Sequence, residues 1–590
     1  MTFLRELLAV ILGVFISFFI MFMVMIAIGT AIGSSFGEGE DIKVKKNTIL
    51  TFKLDEIIKD YAPKSNDPFE EILGIGDKKM GLNRIINAIE NAKYDDNIIG
   101  ISIEIEQINS GIAQTQSIRD KLYEFKESGK FITAYADYFD QKNYYLSSVA
   151  DSIYLNPVGG IDLRGLRAEM LFFKDFQDKY GVKMEVIRHG KYKSAVEPFI
   201  SNKMSEANRE QTMEFINSIW GELVDDMAES RNKTNFEINE IADDLLARNP
   251  DLAIDNQMIT NKLFRDQYEK VLKDLSGILN DGKLNTIKLK DYISSGKGRI
   301  RSTSKNRIAV VYAQGEIRYG KGDEDYIGQE LIIKALRKAR SSSNVKAIVF
   351  RVNSPGGSAL ASDLIWREVE LTKKEKPVVV SMGNMATSGG YYISCSADRI
   401  IAEPTTITGS IGVFGMLLNF NELSNRIGIN SEQIGTNKQS IGYTPFEPLT
   451  DEYYDVVKEG VETVYTTFVN RVAKGRDMTF AMVDSIAQGR VWTGKEAIEN
   501  GLVDELGNLE DAIRTAAEMA DVENYRVSNY PDYEKDFADM FKSSSFINAK
   551  KESLLKEELG ETNYNIYSNL KQLYHFKGIQ ARLPYQIEIK

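Results

Sequence analysis

The chain has 590 residues, 73 Lys and Arg against 85 Asp and Glu, a formal net charge of −12 at pH 7, one cysteine and two histidines. Single cores rarely grow past roughly 250–300 residues, so this length suits two domains, and the acidic balance argues against a nucleic-acid partner because nothing would neutralise phosphate. The lone Cys395 excludes a disulfide framework and a cysteine-rich metal site, and His189 and His575 stand in no metal-ligand spacing, so no metal or cofactor is expected and a nucleophile should use a base other than histidine.

Residues 1–45 read as a membrane anchor and its connector. Leu7–Phe36 carries no charge, and Leu7–Ile32 as a helix would rise ~39 Å against a hydrocarbon layer of ~30 Å. A cleaved signal peptide is the competing reading, but its apolar region would be about 7–15 residues, far shorter than this one. Arg5 lies before the span and Lys43, Lys45 and Lys46 after it, so the positive-inside rule does not decide orientation. A first domain follows over residues 46–295, in which β-branched Ile99–Ile105, an amphipathic Gln114–Phe125 and Phe131–Ala136 predict strand, helix and strand, with a longer helix over Glu210–Ser230. Ser294–Lys305 lacks apolar periodicity and reads as a linker. A second domain, residues 305–530, repeats the pattern in Ala347–Val352, Asp363–Lys374 and Val378–Met382, with a long helix over Tyr453–Lys474. Such alternation predicts an α/β fold with mainly parallel sheet. The tail, residues 531–590, is charged and aromatic, with helix and then an extended Ile579–Ile589, and carries no functional reading.

The two domains are copies. At an offset of about 247 residues Asn97 faces Asn344, Tyr144 and Tyr145 face Tyr391 and Tyr392, Ala150-Asp151 faces Ala397-Asp398, and Pro198-Phe199 faces Pro445-Phe446 without a gap, which marks a tandem duplication. The copies differ where chemistry is expected. In the second, the strand Ala347–Val352 ends in Asn353-Ser354-Pro355-Gly356-Gly357, read as glycines that expose backbone N–H groups at a helix start, able to hold an anion or a developing oxyanion. The strand Val378–Met382 leads to Ser388-Gly389-Gly390, a serine at a strand-to-helix turn where a nucleophile is exposed beside an N–H. Either motif alone is compatible with a tight turn. In the first copy Asn109-Ser110 stands opposite Gly356-Gly357 and Gln141-Lys142 opposite Ser388-Gly389, while its Lys193 faces Ser440. One copy lacks the alcohol and the other the amine, which the assembly of one site from both explains: Ser388 as nucleophile and Lys193 as base. That role requires burial to lower the lysine, since an ammonium near ~10.4 accepts no proton.

Ser388-Gly389-Gly390-Tyr391, Asn353-Ser354-Pro355-Gly356-Gly357, Thr408-Gly409-Ser410-Ile411-Gly412 and Tyr192-Lys193-Ser194-Ala195, in this order of roles, closely resemble the long, duplicated form of the signal peptide peptidase A (protease IV) family of membrane-anchored serine proteases. The resemblance covers about residues 46 to 520, including Thr493–Ala497 and Gly501–Asp504, and implies two tandem Clp-protease/crotonase-like domains of repeated ββα units behind a transmembrane helix. It further implies a Ser388/Lys193 dyad, an oxyanion hole from the backbone of Gly357 and Gly389, Ser410 bonded to the lysine amine, and a homotetrameric bowl. By the same resemblance the chain is a single-pass protein of the cytoplasmic (inner) membrane with its catalytic body on the extracytoplasmic side, degrading apolar peptides such as signal-peptide remnants. Thr387 departs from the alanine that relatives often carry there, with altered packing as the expected consequence. A crotonase-type acyl-CoA enzyme and an inactive membrane scaffold are the alternatives.

Overall fold

The computed structural model describes residues 5, 12–21, 23–24, 43–63, 79–278, 282–297, 302–533, 560, 564 and 579–582. Two sheets of the same design form its centre. In the first, six strands run in the order Asn261–Lys262, Ser152–Leu155, Phe131–Ala136, Ile98–Ile103, Thr48–Phe52 and Thr286–Lys288, every neighbour parallel. In the second, Glu505–Leu506, Arg399–Ala402, Val378–Thr387, Val345–Ser354, Arg307–Gln314 and Arg526–Tyr530 follow the same order, again parallel throughout. These strands are near-continuous runs of Ile, Val and Ala because helices cover both faces of a parallel sheet, so no solvated face asks for polar alternation. Leu82–Tyr94 and Ile112–Lys126 cover one sheet, and Gln329–Ser341 and Ala359–Lys373 stand at the matching places on the other.

Most predicted elements differ from the observed ones only at their ends. The strand expected over Ile99–Ile105 spans Ile98–Ile103, the helices expected over Glu210–Ser230 and Tyr453–Lys474 span Glu206–Arg231 and Asp451–Gly475, and Phe131–Ala136 is as predicted. Two differences have consequences. The strand predicted to stop at Met382 continues to Thr387, because Met385–Thr387 pair in parallel with Ile407–Gly409, a partner that local pattern cannot reveal. And Gly356-Gly357 does not open a helix: Gly356–Ser358 is a short strand, and the helix begins at Ala359 with Ser358 Oγ accepting from the Ala361 N–H at 3.3 Å.

A third sheet joins the halves. Lys183–His189, from the first half, pairs antiparallel along its whole length with Val413–Asn419 of the second, from Lys183 opposite Asn419 to His189 opposite Val413. The same sheet continues through Gln580–Arg582 to Gly356–Ser358 and Glu316–Arg318. Buried polar contacts fasten the halves further: Arg351 donates to Asp60 at 2.8 Å with both side chains sealed from solvent, and Ser117 bonds Glu403. Of the predicted linker, residues 298–301 lie outside the described residues, as does most of the predicted span Leu7–Phe36. Residues 12–21, 23 and 24 are helical with Phe15, Phe18 and Phe19 exposed, and among the described residues no helix is long and apolar enough to cross a membrane.

Candidate active site

The extended strand Val378–Thr387 ends in Ser388, whose backbone stands at φ 54°, ψ −113°, and the helix Gly389–Ser394 starts at once. A positive φ at a residue with a side chain is strained and persists only where its surroundings hold it. Here the Ser388 N–H donates to Gly409 O at 2.8 Å and the Tyr392 N–H to Ser388 O at 2.8 Å, fixing the bend from both sides. The Ser388 side chain is buried and lies 2.9 Å from Lys193 Nζ.

Lys193 arrives from the other half. The strand Lys183–His189 carries the chain onto the second half's sheet edge, and a turn through Gly190 brings Lys193 back over Ser388 before the short helical stretch Ser194–Val196. The turn is held from several directions: Tyr192 N–H donates to Gln488 O at 2.8 Å, Arg188 Nη1 to Lys193 O at 3.1 Å, and Gln211 Nε2 to Tyr192 O at 3.1 Å and Ser194 Oγ at 2.9 Å. Lys193 is 1% exposed. Its Nζ donates to Ser410 O at 3.1 Å and Ser410 Oγ at 3.0 Å, and among the described residues no carboxylate forms an ion pair with it. Burial without a counter-charge disfavours the ammonium and lowers the amine from its ordinary 10.5 to about 7.

Around the pair, backbone comes closer than side chains permit. Gly357, at φ 155°, lies so near Ile317 that a Cβ would stand 2.0 Å from its carbonyl oxygen. Gly389 opens its helix, so its N–H has no intrahelical acceptor. The glycine strand lies against this helix start: a Cβ on Gly356, the neighbour of Gly357, would stand 2.7 Å from the Gly389 nitrogen. Ser410, itself at φ 51°, is bound through its N–H to Arg490 O at 2.6 Å.

The structure therefore gathers Ser388, Lys193, Ser410, Gly357 and Gly389 in one place. It also adds Gly489, which sequence reasoning missed, and gives Gly412, so far only the end of the Thr408–Gly412 motif, a place in the site. A Cβ on Gly412 would meet Lys193 Cδ at 3.1 Å, and one on Gly489, at φ 81°, would meet the Lys193 backbone nitrogen at 2.6 Å, so these glycines form the wall the lysine lies against. A glycine such as Gly489 is the local mark of a turn, but nothing local ties it to a lysine in the other half. Thr387 is fully buried with its hydroxyl unpartnered. His189 is spent elsewhere, its Nδ1 2.7 Å from Glu462 Oε2 and its ring stacked on Tyr465.

The mirror position in the first half is occupied differently. Gln141, opposite Ser388, accepts through Oε1 from the N–H groups of Arg164 at 3.0 Å and Gly165 at 2.9 Å and donates to Gly165 O at 3.2 Å, while Lys142 Nζ donates to Ser110 O at 2.7 Å. A cavity of about 1410 Å³, lined among others by Asn109, Ser110, Gln141 and Asn384, opens there. Ser440, opposite Lys193 in the repeat, does not line it: it is exposed and donates through Oγ to Asn437 O at 2.7 Å.

Two stretches of the chain, residues 124–278 and 370–523, match the family model of peptidase family S49. The chain is similar to "Protease 4" of Haemophilus influenzae, 37% identical over 495 residues that cover 80% of each chain. It is similar also to "Serine protease SPPA, chloroplastic" of Arabidopsis thaliana, 31% identical over 486 residues covering 81% of this chain and 70% of that one. Among solved structures, a point mutant of ClpP1 from Listeria monocytogenes aligns over 35% of this chain and 94% of its own at 17% identity, with a TM-score of 0.24.

Proposed function

The chain belongs to peptidase family S49 and is a serine peptidase homologous to the protease IV and SppA proteins; from that premise we propose that it is a membrane-bound endopeptidase whose nucleophile is Ser388 and whose general base is Lys193. The carrying observation is the 2.9 Å approach of Lys193 Nζ to Ser388 Oγ in a buried site where, among the described residues, no carboxylate pairs with the amine. A neutral amine has two hydrogens and one lone pair. Ser410 supplies acceptors for both hydrogens through its carbonyl and hydroxyl oxygens, which leaves the lone pair for the Ser388 proton. Ser410 is in this sense the residue that aims the base.

Attack then proceeds in two steps. Ser388 Oγ adds to the scissile carbonyl as its proton passes to Lys193, and the N–H groups of Gly357 and Gly389 take the developing oxyanion charge, donors whose positions need no rearrangement during reaction. The lysine gives the proton to the departing amine, and water, deprotonated by the same lysine, hydrolyses the ester. The substrates are apolar peptides such as signal-peptide remnants left in the bilayer, to which the charge-free Leu7–Phe36 would hold the enzyme close, and the assembly is a homotetramer of the cytoplasmic membrane with its catalytic body outside. The exposed phenylalanines of the N-terminal helical stretch and the protease IV relatives support this setting.

A serine-directed fluorophosphonate applied to the full-length protein tests the dyad. Ser388 should be labelled in the wild type, lost from labelling in Ser388→Ala and labelled at least about a hundredfold more slowly in Lys193→Ala, as removal of a general base requires. The mirror-site variant Gln141→Ala should label within a few-fold of wild type. Equal labelling of wild type and Lys193→Ala would refute the assignment of the base.

A further inference from the structure

The first half has lost the nucleophile but kept a cleft. Ile57–Lys59 pairs in parallel with Lys79–Gly81, Ile58 opposite Met80, as Glu316–Arg318 pairs with Tyr326–Gly328 in the second half, Ile317 opposite Ile327. The next segment matches as well: the Ile58 N–H donates to Asn109 O at 2.9 Å, where Ile317 stands against Gly357. Beyond it the halves part. In the second, a strand lies along the far edge of Gly356–Ser358; in the first, no strand among the described residues pairs with residues 109–111 there, and the cavity of about 1410 Å³ opens instead.

What this edge presents has changed with the sequence. By the repeat, Ser110 holds the place of Gly357 and Lys142 that of Gly389. Asn109 O is turned to Ile58, and Ser110 O is turned the other way, where it accepts from Lys142 Nζ at 2.7 Å. The N–H and C=O of one residue in an extended chain face the same edge, so the Ser110 N–H shares the side of its carbonyl. Among the described residues that N–H has no acceptor. The glycines of the second half offer backbone alone at both places; here a backbone donor stands beside an ammonium.

The rest of the lining suits an anionic chain end with an apolar body. Four of its five carboxylates, all but Glu324, are engaged: Asp60 by Arg351, Asp140 by the Asn143 N–H, Asp162 by Arg164, and Asp325 by Lys59 and Lys79. Ile108, Leu166 and Met385 supply apolar wall. A carboxylate brings two oxygens and a charge, which two donors, one of them ionised, hold far better than they hold the single neutral oxygen of a mid-chain carbonyl.

We propose that this cleft binds, without cutting, peptides whose chain ends there in a free carboxylate, one oxygen on the Ser110 N–H and the other on the Lys142 ammonium. Every cut by a peptidase leaves such an end on one of its two products, so product peptides are the ligand class. The inference goes beyond the dyad reading and does not depend on it, since binding here uses neither Ser388 nor Lys193.

Fluorescence anisotropy of the full-length Ser388→Ala protein, with the probes recovered intact, tests it. One probe is an N-terminally fluorescein-labelled octapeptide of leucine and alanine with a free C-terminal carboxylate, and the other is the same peptide as its C-terminal amide. The acid should bind at least about tenfold more tightly than the amide. Lys142→Met should reduce that ratio to about twofold or less, while Lys142→Arg should keep most of it. Because a change at Lys142 could disturb folding, Leu166→Trp, which fills the cleft from a partly exposed wall, is measured too and should weaken binding of the acid at least about tenfold. Equal binding of acid and amide, or no saturable binding of either, would overturn the inference. A preference for the acid that survives Lys142→Met, or binding of the acid that Leu166→Trp leaves unchanged, would overturn it by placing the carboxylate elsewhere. Fluorophosphonate labelling reads the dyad separately: a chain that never labels at Ser388 yet binds the acid as described would sink the dyad and leave this inference standing.

Discussion

Replacing Lys193 by methionine should destroy the enzyme and stabilise the fold at neutral pH, and the stabilisation should depend on pH in a stated way. Methionine fills nearly the volume of the lysine stem without its charge. The amine is lowered from 10.5 to about 7 by burial, so between these values the folded chain binds fewer protons than the unfolded one. Wild-type stability consequently rises with pH from about 7 to 10.5 and carries the full cost of the buried amine below that window. Removing the group relieves about 4 kcal/mol at pH 7 and about 2 kcal/mol at pH 9. Loss of the three bonds to Ser410 O, Ser410 Oγ and Ser388 Oγ returns about 1 kcal/mol each. The net is a gain of about 1 kcal/mol at pH 7 that becomes a loss of about 1 kcal/mol at pH 9, worth about 1 °C in Tm in either direction for a protein of this size. Thermal melts of both proteins at pH 7 and pH 9, with turnover measured in parallel, read the effect. A methionine variant that melts no higher than wild type at pH 7, or whose advantage grows with pH, would refute the view that burial alone sets the state of this lysine.

Three further outcomes follow from the same geometry. Peptidase turnover should rise roughly tenfold from pH 6 to pH 8 as Lys193 loses its proton, then level off; a pH–rate profile under conditions where chemistry limits the rate checks this, and a flat profile would count against the base. Gly489→Ala, which would put a Cβ 2.6 Å from the Lys193 backbone nitrogen at a φ of 81°, should push the amine off Ser388 and cost about a hundredfold in kcat. Thr387→Val should raise Tm, because it removes a fully buried hydroxyl without a partner at nearly constant volume, a gain of about 1 kcal/mol, with kcat within a few-fold of wild type.

The amino-acid sequence by itself determined the α/β class and the duplication, and it singled out the serine and lysine that the structure brings together. Each of these is written in local pattern: Ile98–Ile103 and Val345–Ser354 are apolar because helices must cover both faces of a parallel sheet, and comparing Gln141 with Ser388 and Ser440 with Lys193 needs only the repeat offset. The tertiary structure decided what depends on chain segments meeting from afar. That Lys183–His189 joins the other half's sheet, that Gly489 and Gly412 wall the lysine, and that Gln580–Arg582 fills the edge beside Gly357 are outcomes of strand pairing between distant segments, and short strands carry no mark of their partners. The lowered pKa belongs with them, since Lys193 is an ordinary lysine until packing removes its water and brings in no carboxylate to replace it.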